Sequence, residues 1–147
     1  MTLSACETAL GKAGGGDGFL GFAQAFLTAG ARSVCLSLWK VDDTATALLM
    51  NRFYQNLLGK REGLMKPMPK AAALAEAKNW LRNLTSDEVL TLTAEMTNGV
   101  ARGPRAPGAK LGLIIPKAPI TETPAKVSKP FAHPQYWAAF ILIGDPN

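Results

Sequence analysis

A short apolar run, Thr2-Leu3-Ser4-Ala5-Cys6, ends on a cysteine, and a glycine-rich stretch from Gly11 to Gly18 follows. In an α/β protein the carboxyl end of a strand, facing a helix start, is where a nucleophile is held. Cys6 is therefore the first candidate for chemistry. An isolated thiol has a pKa of about 8.5 and is mostly protonated at neutral pH, so it needs a base beside it. Cys35, between Val34 and Leu36 in an apolar run, reads as a structural core residue. Asp42 and Asp43 stand before a helical pattern, where carboxylates cap the helix and complement its dipole. His133 is the single histidine. The run Gly16-Asp17-Gly18-Phe19-Leu20-Gly21 matches G-x-G-x-x-G, and Asp42 follows 42 − 21 = 21 residues on. The dinucleotide reading fails, because the strand ends well before the first glycine and Asp17 would set a carboxylate beside the pyrophosphate.

The elements that must position these residues follow from pattern. Residues 2–5 read as the end of a buried strand. Asp17 suits an N-cap for a helix with Phe19, Phe22, Ala23, Phe26 and Leu27 on one face, ending at Gly30. Residues 33–39 read as a second strand, near-continuously apolar as interior parallel strands are. A second helix runs from about Thr44 to Leu58, with Ala45, Leu49, Phe53 and Leu57 inward. Pro69 fits the first turn of a third helix that buries Leu74, Ala77, Trp80, Leu81 and Leu84. Thr85-Ser86-Asp87-Glu88 is a capping box and predicts a short fourth helix to about Thr97. Residues 137–143 form a third buried strand closed by Gly144. The order means an α/β fold, a sheet with helices on its faces, and three strands read as the second half of a larger domain.

Composition excludes several classes. Residues 99–130 hold six of the ten prolines and six basic residues against Glu122, a balance of +5 that equals the net charge of the whole chain. The remaining cations and acids cancel, so the basic pI belongs to a long loop and no nucleic-acid-binding face is expected. Two cysteines and one histidine make neither a disulfide framework nor a metal site. The longest apolar run, Trp137 to Ile143, is far short of the ~20 residues needed to span a bilayer. Leu3-Ser4-Ala5-Cys6 looks like a lipoprotein cleavage box, but only five residues precede the cysteine and the signal requires an apolar stretch of about 7–15. A cytoplasmic location, no membrane partner and no cofactor are expected.

Three runs then carry a resemblance: LSACETALGK, GDGFLGFAQAFLTAGARSVCLSLWKVDD and HPQYWAAFILIGD. In that order they resemble the C-terminal half of a CHAT domain, bacterial in type, from the caspase-like cysteine peptidases that include separase and the gingipains. The resemblance is dense over residues 2–58, fair over 69–84 and strong over 131–145. It divides the chain into a nucleophile-bearing part at 1–98, a Pro-rich basic insertion at 99–130, and the last strand of the same domain at 131–147.

The resemblance implies a three-layer α/β/α caspase-like sandwich with a mostly parallel sheet, of which only the C-terminal half, about three strands and four helices, is present. It implies that Cys6 is the nucleophile and contributes an oxyanion N–H. The catalytic histidine, normally in a His-Gly step, would lie upstream of Met1, so the chain is expected to be inactive alone. It further implies that the loop holding Asp42 and Asp43 lines the substrate pocket, favouring Arg or Lys before the cut bond, and that His133 is structural. The expected partners are a protein or peptide substrate, the missing N-terminal half, and a helical repeat domain. The alternatives are a non-catalytic interaction module of the same fold, or a truncated reading frame.

Overall fold

A computed structural model of the chain describes residues 2–3, 17–98 and 128–147. Cys6, the glycine-rich stretch before Asp17, and most of the Pro-rich insertion lie outside the described residues. Within them the order is β1 (Thr2–Leu3), α1 (Asp17–Thr28), β2 (Ser33–Ser37), α2 (Asp43–Leu57), α3 (Lys70–Asn83), α4 (Ser86–Asn98), a 3-10 turn (Pro134–Tyr136) and β3 (Phe140–Gly144). The protein is mixed α/β. The sheet order is β1-β2-β3, with β1 parallel to β2 and β3 antiparallel to β2 at the edge.

Alternation along β2 decides which helix covers which face. Val34 and Leu36 point to Ala23, Phe26 and Leu27 of α1, and Ile143 of β3 joins them. Cys35 points the other way, into the larger core of Ala45, Leu48, Leu49 and Phe53 from α2 and Ala73, Leu74, Ala77 and Leu81 from α3. Helices thus lie on both faces.

Helix ends follow local chemistry. Gly30, at φ +95°, closes α1 as the sequence suggested: Ala31 N–H donates to Phe26 C=O and Gly30 N–H to Leu27 C=O, a pairing that needs a left-handed residue. The α4 capping box forms as expected: Thr85 N–H donates to Glu88 Oε2 at 2.8 Å. Asp17 is the first residue of α1, not its cap, and Gly18 and Gly21 lie inside that helix rather than in a phosphate-binding loop.

The strands are shorter at one end than the pattern suggested. β2 stops at Ser37, and Leu38 and Trp39 are over one-third exposed. β3 starts at Phe140, because Trp137 and Ala138 donate their N–H groups to Pro134 C=O and close the 3-10 turn. Apolar composition alone could not distinguish that turn from strand. Trp80 packs against the core as expected but is only half-buried, with the Arg52 guanidinium 5.0 Å above its ring.

Candidate active site

The parallel pairing of Thr2 with Cys35 and Leu3 with Leu36 sends the carboxyl ends of β1 and β2 to one edge of the sheet. The antiparallel β3 begins at that same edge. Two pieces of chain therefore meet there beside the carboxyl end of β1: the exit of β2 from Leu38 to Asp42, and the 3-10 turn that enters β3. Cys6, three residues past β1, lies outside the described residues.

The β2 exit is fastened on both sides. Leu38 N–H donates to Ala139 C=O at 2.9 Å, extending the pairing one step past the strand. The Trp39 indole N–H donates to the Gln135 carbonyl at 3.0 Å while a good part of the ring stays open to solvent. Val41 is buried and anchors the segment just before the helix. No pattern in the chain announces the Trp39–Gln135 contact, because the partners stand 96 residues apart and the acceptor is a backbone carbonyl.

Asp42 is the N-cap of α2: its Oδ1 accepts from Ala45 N–H at 2.9 Å, and its carbonyl accepts from Thr46 N–H. Asp43 occupies the first turn and is exposed. One aspartate is thus committed to the helix start, while the other has its carboxylate in solvent. His133 is exposed and caps the 3-10 turn, its Nδ1 accepting from Gln135 N–H at 3.3 Å. The turn leads into β3, and β2 lies between β3 and β1.

Cys35 is 2% exposed, and burial pushes its thiol up to about 11, so it stays protonated and inert at neutral pH. Lys78 on α3, itself partly desolvated, has its ammonium pKa lowered by that burial. Among the described residues no group of histidine, cysteine and acid side chains could hold a metal ion, and no helix is long and apolar enough to cross a membrane.

No local pattern marked a polar knot between α2 and α3, toward the end of α2 remote from Asp42. Glu76 accepts from Arg52 Nη2 at 2.7 Å, Arg61 Nη1 at 3.1 Å and the fully buried Asn56 Nδ2. Burial alone would raise the Glu76 pKa, but hydrogen bonds from Arg52 and Asn56 and the charges of Arg52 and Arg61 outweigh it and hold the carboxyl below its usual range. The i, i+4 spacing of Arg52 and Asn56 was the nearest local signal.

No solved structure matches the chain. Human tetratricopeptide repeat protein 28 is 27% identical over 129 residues, which is 88% of this chain and 3% of that relative. The chain therefore spans a small fraction of the curated relative it matches. The family described as CHAT domain matches residues 1–145. That match runs through the exit of β1, the fastened exit of β2 and the turn into β3 alike, and the chain belongs to the CHAT domain family.

Proposed function

We propose that this chain is the nucleophile-bearing half of a caspase-like cysteine endopeptidase built on an α/β/α sandwich with a mostly parallel sheet. The observation that carries the reading is the CHAT match across residues 1–145, which includes Cys6. The parallel β1–β2 pairing supports it, because it brings Leu3, three residues before Cys6 in the sequence, to the sheet edge from which the chain leaves β2 for Asp42 and Asp43.

In this mechanism the Cys6 thiolate attacks the scissile carbonyl. The Cys6 N–H helps hold the oxyanion, the amine leaves with a proton, and water hydrolyses the thioester. Because His133 is engaged as a cap on the far side of β2, the acid–base histidine comes from a segment outside this sequence. Asp43, exposed in the first turn, takes the Arg or Lys side chain before the cut bond, with Asp42 holding the helix start beside it. A helical repeat region is the proposed companion, in keeping with the name of the human relative.

The test compares residues 1–147 with a longer polypeptide from the same gene. Both are exposed to an acyloxymethyl ketone peptide with Arg at the position before the warhead. The expected outcome is slow or absent labelling of residues 1–147, and fast labelling of the longer form that Cys6→Ala abolishes and Asp43→Asn slows. A longer form that is folded yet labels no faster than Cys6→Ala would favour the non-catalytic interaction module instead.

A further inference from the structure

We propose that the cleft between the last turn of α2 and the α2–α3 connection binds a small phosphate-type oxyanion, independently of any peptidase activity. The sequence sets it up: Gly59 ends α2, and Lys60-Arg61-Glu62-Gly63 follows at once. Gly59 N–H and Lys60 N–H turn back onto Asn56 and Gln55 carbonyls, which fixes the basic pair against the helix end. The resulting open cleft has a volume of about 610 Å³ and is lined by Arg52, Gln55, Lys60, Arg61, Glu62 and Gly63.

Its electrostatics are unbalanced. Arg52 and Arg61 share a single carboxylate, Glu76, which already accepts from both guanidiniums and from Asn56. Lys60 adds a third cation, and Glu62 is the only acid in the lining. Arg61 Nε is buried and has no hydrogen-bond partner among the described residues. A buried guanidinium N–H without an acceptor is costly, and an acceptor held in the cleft that Arg61 lines would relieve that cost once the side chain turns toward it. Among the described residues the other unpaired buried side-chain atom is Asn56 Oδ1, and Asn56 does not line the cleft.

A phosphoryl group brings three acceptor oxygens and up to two negative charges, matching the Arg61 Nε–H, the Lys60 ammonium and the Arg52 guanidinium. A carboxylate offers two oxygens and one charge. The cleft sits at the opposite end of α2 from Asp42. The helix has 15 residues, and at 1.5 Å per residue the two ends are about 20 Å apart, so this is a separate site.

The experiment is an amide NMR titration of the ¹⁵N-labelled 147-residue chain at low salt with inorganic phosphate, ADP and sodium acetate in parallel. Saturable shifts centred on residues 60–63 are expected with phosphate. Lys60→Gln and Arg61→Lys should each weaken binding about three- to tenfold; Arg61→Lys keeps a cation beside Glu76 and removes only the guanidinium fork. Tighter binding of ADP identifies a phosphorylated small molecule as the source, whereas equal affinity identifies free phosphate. Shifts that fail to saturate, that acetate reproduces, or that both variants leave unchanged would overturn the proposal. Lys60 is exposed, so its variant remains informative if Arg61→Lys folds poorly.

Discussion

Asp42 illustrates how one side chain can answer a sequence pattern in two ways. The Asp-Asp step marked both a helix start and a pocket acid, and the cap is the role with a hydrogen bond behind it. Asp42→Ala should therefore cost about 1 kcal/mol of unfolding free energy, while Asp43→Ala should cost at most a few tenths, as an exposed first-turn charge. Urea midpoints of the two variants check this, and equal losses would mean that the cap contributes nothing. Cys35 makes a sharper case. Its thiol is neutral in the fold up to about pH 11, whereas in the unfolded chain it ionises near 9.0. The folded pKa is raised, so the stabilisation is fully present below about pH 9 and is lost as pH climbs to 11. Lys78 acts in the opposite sense, its lowered folded pKa adding stability as pH rises toward 10.5. The measurement is therefore the difference in stability between wild type and Cys35→Ala across pH 8–11, which should shrink as pH rises. Native Cys35 should also resist iodoacetamide until the chain is unfolded.

At the scale of elements, Glu76 ties α3 to α2 and to the connection that follows it. Removing the carboxylate strands two guanidiniums that are three-quarters or more buried. Glu76→Ala should cost about 2 kcal/mol, between the values typical of exposed and of buried pairs. Because the folded Glu76 pKa is depressed, its contribution is present above the ordinary carboxyl pKa and fades as pH falls through the lower folded value. Urea unfolding at pH 7 and pH 3 should show the penalty of Glu76→Ala shrinking at the acid end. A second element-level constraint lies at the end of β3. Gly144 has φ +101°, and a Cβ there would collide with the Arg32 carbonyl, which also accepts from Asp145 N–H. The sequence marked that glycine as a strand stop, and the structure gives the reason: the backbone of the chain before β2 passes directly against it.

For the whole molecule, the decisive contacts join residues far apart in the chain. Phe131 is 1% exposed, sits edge-on to Tyr136 at 5.2 Å, and packs in the main core with α2 and α3. Ser128 C=O accepts from Ser86 N–H at the start of α4, and Lys129 Nζ reaches Asn83 Oδ1, so the chain entering β3 is pinned from residue 128 onward. Phe131→Ala should cost about 3–5 kcal/mol and lower the cooperativity of the urea transition, because it loosens the whole segment that delivers β3. An unchanged midpoint would show that the β3 segment docks without it. Legible in the chain itself were the α/β class, the four helices, the Asp42 cap, the Thr85–Glu88 capping box and most of the described buried faces, since periodicity, capping boxes and glycine stops act within a few residues. The resemblance of three separated runs likewise led to the CHAT family. Long-range packing set the rest: Leu38 and Trp39 leave the strand, Trp39 is held by the Gln135 carbonyl, and Phe131 is core. It alone decided that Glu76 gathers Arg52, Asn56 and Arg61 around one carboxylate. Those outcomes depend on pairings between residues 15 or more positions apart, where no local pattern records which backbone carbonyl or carboxylate will be the partner.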